Sequence, residues 1–107
     1  MYKQTPYPNG AEQWLINLID LKNKVEMSAK QIAEKENLAE KSVSNVFLGK
    51  SKNPGVDLIR RIIHALGGSW REILSHIPFI EVFSKFHVKS LNDIPFRVSN
   101  LYRSQYL

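Results

Sequence analysis

Cysteine is missing from this chain, which excludes disulfide frameworks and thiolate metal sites. Long apolar runs are missing too: nothing approaches the ~20 residues that span a bilayer. The opening MYKQTPYPNG has no apolar signal-peptide core, so a cytoplasmic protein is expected. Histidine is sparse. His64, His76 and His87 stand at intervals with no partner constellation, and His64, inside an apolar helical stretch, is expected to pack or cap. No metal or cofactor site is therefore expected. Neither a nucleophile–base pairing nor a Gly-rich phosphate loop is present, which argues against an enzyme. No internal repeat or low-complexity stretch is visible. A charge of one sign does not dominate either, since the formal net charge is +5 over 107 residues. Residues 1–27 hold three basic and three acidic side chains, 28–61 seven and four, and 62–107 five and three. The small excess gathers around the middle segment, which suits phosphate attraction without requiring it.

What is present is helical periodicity. Residues 1–9 carry two prolines and read as an extended arm. A helix is expected from Asn9 or Gly10, with Trp14, Leu15, Leu18, Ile19, Leu21 and Val25 on its apolar side. Two short helices follow at 28–36 and 40–48. The first has Ser28 as N-cap and Gln31 three residues on, a reciprocal capping box. Its inward residues are Ile32 and Ala33, and the small Ala33 permits close approach of the next helix. Asn37 stands at the turn because Asn tolerates the left-handed conformation, and Leu38 plugs it. Val43, Val46 and Phe47 recur at i, i+3, i+4, and Gly49 ends the second helix. Pro54 closes the exit loop. A fourth helix is expected from Val56 to Leu66, with Val56, Ile59, Ile62, Ile63 and Leu66 inward and Gly67 as its stop. Ser69 and Glu72 mark a capping box on a fifth, which turns Trp70, Ile73 and Leu74 toward the core.

With Val43, Val46 and Phe47 turned inward, Glu40, Lys41, Ser44, Asn45 and Leu48 share the opposite side of the second short helix. On its own such a face is equally suited to plain solvation. It also suits a DNA major groove. Asn45 can bond adenine bidentately, Lys41 can donate to guanine, Glu40 can accept from cytosine N4, and Leu48 can touch a thymine methyl.

The stretch from Ser28 to Leu74 resembles the lambda-repressor/Cro-like (XRE-type) helix-turn-helix family. The residues that carry the likeness are, in order, Ile32-Ala33, Asn37-Leu38, Val43 and Val46, Gly49-Lys50, Asn53-Pro54, the LIRRIIHALGG segment and the capped SWREIL tail. They cover a little under half the chain. Departures are Glu36, where an apolar residue is usual and whose carboxylate is expected to angle into water; Ala29, where many relatives place a phosphate-bonding Gln; Phe47, often Glu; and Ala39, a poor N-cap at a cost of roughly 1 kcal/mol. The resemblance implies an all-α, lambda-repressor-like five-helix bundle over residues 10–76. It further implies a sequence-specific double-stranded DNA-binding transcriptional regulator, expected to be a repressor, that reads the major groove with the helix at 40–48 and binds as a homodimer on two half-sites. Lys50, Lys52 and Asn53 stand where family members touch the DNA backbone. Lys30, in the first turn of the first short helix, and Ser42 are further candidate phosphate contacts, while Arg60 and Arg61 are weaker ones.

Residues 77–107 form an aromatic-rich extension, a candidate dimerisation or partner-binding element. Phe79, Val82, Phe83 and Phe86 fall at helical spacing and suit either packing on the bundle or a dimer contact. Beyond Asp93 the sequence fits a strand, a partner-binding tail or the edge of a longer protein. The competing reading of the whole chain is a protein-interaction module, such as an antitoxin or regulatory partner, built on the same helices.

Overall fold

A computed structural model describes residues 2–51 and 54–74. Among these residues the structure is all-helical, with α1 (Gln13–Val25), α2 (Ala29–Glu36), α3 (Glu40–Phe47), α4 (Val56–Leu66) and α5 (Trp70–Leu74) and no strand. No helix among them is long and apolar enough to cross a membrane. The helix proposed over 79–87, the tail beyond Asp93, Lys52, Asn53 and the other two histidines lie outside the described residues.

Local chemistry sets most helix ends. Ser28 Oγ accepts from the Gln31 amide at 3.1 Å, and Gln31 Oε1 accepts from the Ser28 amide at 2.8 Å, so the expected capping box is complete. Asn37 takes the left-handed conformation (φ 54°) and ends α2. Gly67 ends α4 at φ 73°. At α5 the Glu72 carboxylate accepts from the Ser69 amide at 3.1 Å. Ala39 caps α3 with no side-chain bond, as its methyl requires.

α1 starts later than its periodicity suggests. The Ala11 amide donates to the Pro8 carbonyl at 3.1 Å, closing a turn through Asn9 and Gly10, and Gly10 has φ 69°. A left-handed residue cannot be a helical one, so the first helical residue is Gln13. Val25 also departs from expectation, being 39% exposed. It falls on the apolar stripe, but Glu26 turns left-handed directly after it and the chain leaves. Val56 and Trp70 are half-buried, packed on the edge of the core rather than in it.

The core joins all five helices. Leu18 and Ile19 of α1, Ile32 of α2, Val43 and Val46 of α3, Ile59 and Ile62 of α4 and Ile73 of α5 are fully buried. Each such side chain is worth about 1.5–3 kcal/mol relative to exposure. α2 packs against α3 and α4, while α1 lies across α3, α4 and α5. Asn17 Nδ2 donates to the Ile73 carbonyl at 2.9 Å and Lys35 Nζ to the Ala65 carbonyl at 3.0 Å, so two polar groups satisfy helix-end carbonyls across helices. Gly68 lies close against the Leu21 side chain of α1. A Cβ there would stand 2.4 Å from Leu21 Cδ2.

Two further expectations are corrected. The Glu36 carboxylate does not angle into water: its side chain is only 15% exposed and lies 2.6 Å from His64 Nδ1. His64 in turn is neither packed nor a helix cap, with a side chain 73% exposed. The pair ties α2 to α4 across 28 residues of sequence, a separation at which no helical spacing could bring it forward.

Candidate nucleic-acid interface

α3 presents the candidate face. Val43, Val46 and Phe47 are buried against the core, and this pins the helix's rotation. Glu40, Lys41 and Ser42 are then exposed, Ser44 and Asn45 half-exposed, and Leu48, the C-cap, 57% exposed. The five base-reading candidates therefore share one accessible side. None of the polar side chains at Glu40, Lys41, Ser42, Ser44 and Asn45 bonds or ion-pairs with another described residue. Among the described residues their donors and acceptors are uncommitted.

The flanks carry cations. Lys30 is exposed in the first turn of α2, beside the capping box. At the other end Gly49 takes φ 75°, and the amides of Lys50 and Ser51 both donate to the Asn45 carbonyl at 3.0 and 3.3 Å. This double acceptance fixes the backbone of Lys50 to the end of α3 while leaving its side chain exposed. Lys30, Lys41 and Lys50 have no acidic partner among the described residues. Arg60 and Arg61 differ. Asp57 Oδ1 lies 2.6 Å from the Arg60 guanidinium and Asp57 Oδ2 lies 3.3 Å from Arg61, so both arginines already have an anion. The Arg60 hydrogen bond holds the Asp57 carboxyl below its ordinary value of 3.8.

The arm adds a part that sequence reasoning missed. Residues 2–8 run back along α1. Asn23 Oδ1 accepts from the Tyr2 hydroxyl at 2.7 Å and from the Thr5 amide at 2.8 Å, and Asn23 Nδ2 donates to the Thr5 carbonyl at 3.1 Å. The Tyr7 hydroxyl donates to Asp20, which holds the phenol above its ordinary value of 10.0. So anchored, the arm carries Lys3 to a cleft of about 520 Å³ at the start of α2, lined also by Tyr2, Lys22, Glu26, Ser28, Ala29 and Gln31. At its other end Pro8 meets Gly49, and a second cleft of about 530 Å³ opens between Pro8, Ala11, Trp14, Leu15 and Leu48.

Lys22 is the residue whose role the sequence concealed most. It is 5% exposed, and its ammonium donates to Tyr2 Oη at 2.9 Å and Thr5 Oγ1 at 2.7 Å. It also stands 4.9 Å from the Tyr2 ring centroid and 5.4 Å from that of Phe47. One signal was available: position 22 lies on the stripe of Leu15, Leu18 and Ile19, where a lysine must be buried or partnered.

No protein-family model, curated protein or solved structure matches this chain.

Proposed function

We propose that this chain is a sequence-specific double-stranded DNA-binding protein of lambda-repressor-like architecture, acting as a transcriptional regulator, with α3 in the major groove. The observation that carries the reading is the α3 face. It is accessible, and beside an exposed Leu48 it holds four polar side chains with no partner among the described residues. A solvated helix face needs neither the ordered series of helix-turn-helix residues in the sequence nor the exposed lysines at the start of α2 and just past α3, which have no acidic partner among the described residues. The two together support groove binding.

The roles divide by chemistry. Lys30, Lys50 and Ser42 approach phosphate and supply salt-sensitive affinity and register, joined by Lys52 and Asn53 on the exit loop. Glu40, Lys41, Ser44, Asn45 and Leu48 discriminate bases. A homodimer on two half-sites about one helical turn apart is the assembly this docking mode favours, and repression is the regulatory outcome proposed.

Selection of bound sequences from a random duplex library tests the reading. A two-fold symmetric consensus is expected, and Asn45→Ala is expected to relax preference at one position per half-site without unfolding the protein. The 57% exposed Leu48, at the edge of a cleft lined by both apolar and polar residues, is the feature that favours a protein partner instead. Failure to enrich any sequence, together with negligible duplex affinity at physiological salt, replaces DNA binding with that interaction-module reading.

A further inference from the structure

We propose that the N-terminal arm is a strap that holds the last turn of α3 in its working position, with Lys22 as the positioning residue that transmits the hold. The geometry joins three elements at one ammonium. The arm provides both oxygen acceptors of Lys22, through Tyr2 and Thr5, and one of its two aromatic faces. α3 provides the other face, Phe47, its last helical residue.

The coupling follows from the charge. Lys22 is buried without a carboxylate partner among the described residues. A buried ammonium is tolerated only where its protons are bonded. Among the described residues the arm alone accepts them, so the ammonium stays over Phe47 while the arm is docked. When the arm lifts, Lys22 regains water and its cation–π contact with Phe47 is lost. A second contact acts at the same place, because Pro8 lies within 3.1 Å of where a Cβ on Gly49 would stand. Both contacts bear on the segment that carries Asn45, Leu48 and Lys50. The consequence for DNA rests on the function proposed above, whereas the effect on α3 does not.

Asn23→Ala is the releasing variant. It removes the bonds to Tyr2 and Thr5, keeps a good helix former in α1 and leaves the residues of α3 and Lys22 themselves unchanged. Amide hydrogen exchange on the full chain is the readout. Losing these three hydrogen bonds is expected to speed exchange at Leu48, Gly49 and Lys50 by at least tenfold, with Ile62 and Ile63 unchanged. Lys22→Met should reproduce that local pattern and Lys22→Arg should restore protection, since guanidinium can bond both hydroxyls and face both rings. Acceleration spread evenly over all helices would mean that the arm merely adds stability, and it overturns the strap. So does unchanged exchange at the three amides. Titrating a mixed-sequence 30-base-pair duplex separates the two readings. About tenfold weaker binding of Asn23→Ala is expected, and unaltered affinity alongside faster local exchange overturns the link to DNA. Local acceleration in a protein whose wild type binds no duplex leaves the strap standing and removes the proposed function.

Discussion

Neutralising Lys50 should change how DNA affinity depends on salt rather than which sequence is preferred. The proposed function gives three lysines to phosphate: Lys30 and Lys50, exposed and without an acidic partner among the described residues, and Lys52 of the exit loop. If each neutralises one phosphate, log K should fall against log salt with a slope of about −2.7 per protomer, since each phosphate contact contributes about −0.9. Raising salt from 50 to 200 mM then weakens binding by about 40-fold. Lys50→Gln should bring the slope to about −1.8 and the loss to about 12-fold, because one counterion fewer is released. The structure singles out Lys50 because its backbone is fixed to the Asn45 carbonyl, so its exposed side chain starts from a set point at the end of α3. Fluorescence anisotropy on a labelled duplex at five or six salt concentrations measures both slopes. An identical slope in wild type and Lys50→Gln refutes a phosphate contact at this residue. A wild-type affinity indifferent to salt refutes the whole electrostatic scheme.

Three other predictions concern the scaffold. Gly68→Ala places a Cβ 2.4 Å from the Cδ2 of Leu21, the end of a side chain at the rim of the core that can turn aside; the cost should therefore stay at the low end of overpacking, about 1 kcal/mol, and thermal unfolding should show a Tm lower by roughly 4–8 °C. Ala39→Ser supplies the missing acceptor at the start of α3, where the N-cap backbone is already extended (φ −71°, ψ 130°). Denaturant titration should therefore show a gain of about 1 kcal/mol, and no gain would mean that this helix start is already satisfied. Asp57 has its pKa lowered in the fold by the Arg60 hydrogen bond, so its small contribution is present above the ordinary value of 3.8 and is lost as pH falls through the lower folded value. The stability difference between wild type and Asp57→Asn should accordingly stay constant from pH 7 to 5 and shrink below about 3.8.

The capping box at Ser28 and Gln31, the left-handed Asn37 and the stops at Gly49 and Gly67 were legible in the chain because each depends on groups within four residues. Hydrogen bonds that local form wherever the residues occur in that order. The buried stripes of α3 and α4 were legible because helical period alone brings their residues to one side. The accessible face of α3 followed from the same periodicity. What sequence could not supply was the partner of each polar group far along the chain. Glu36 meets His64 28 residues away, Asn23 meets Thr5 18 residues away, and Gly68 is constrained by Leu21. Such pairings depend on how helices cross, and helical period carries no information on that. The late start of α1 was likewise decided by a turn that competes with its first residues, and the exposure of Val25 by where the chain departs. Lys22 shows the division most plainly. Its place on an apolar stripe was written in the sequence, but two hydroxyls and two rings from three separate segments make its burial tolerable, and only folding brings those together.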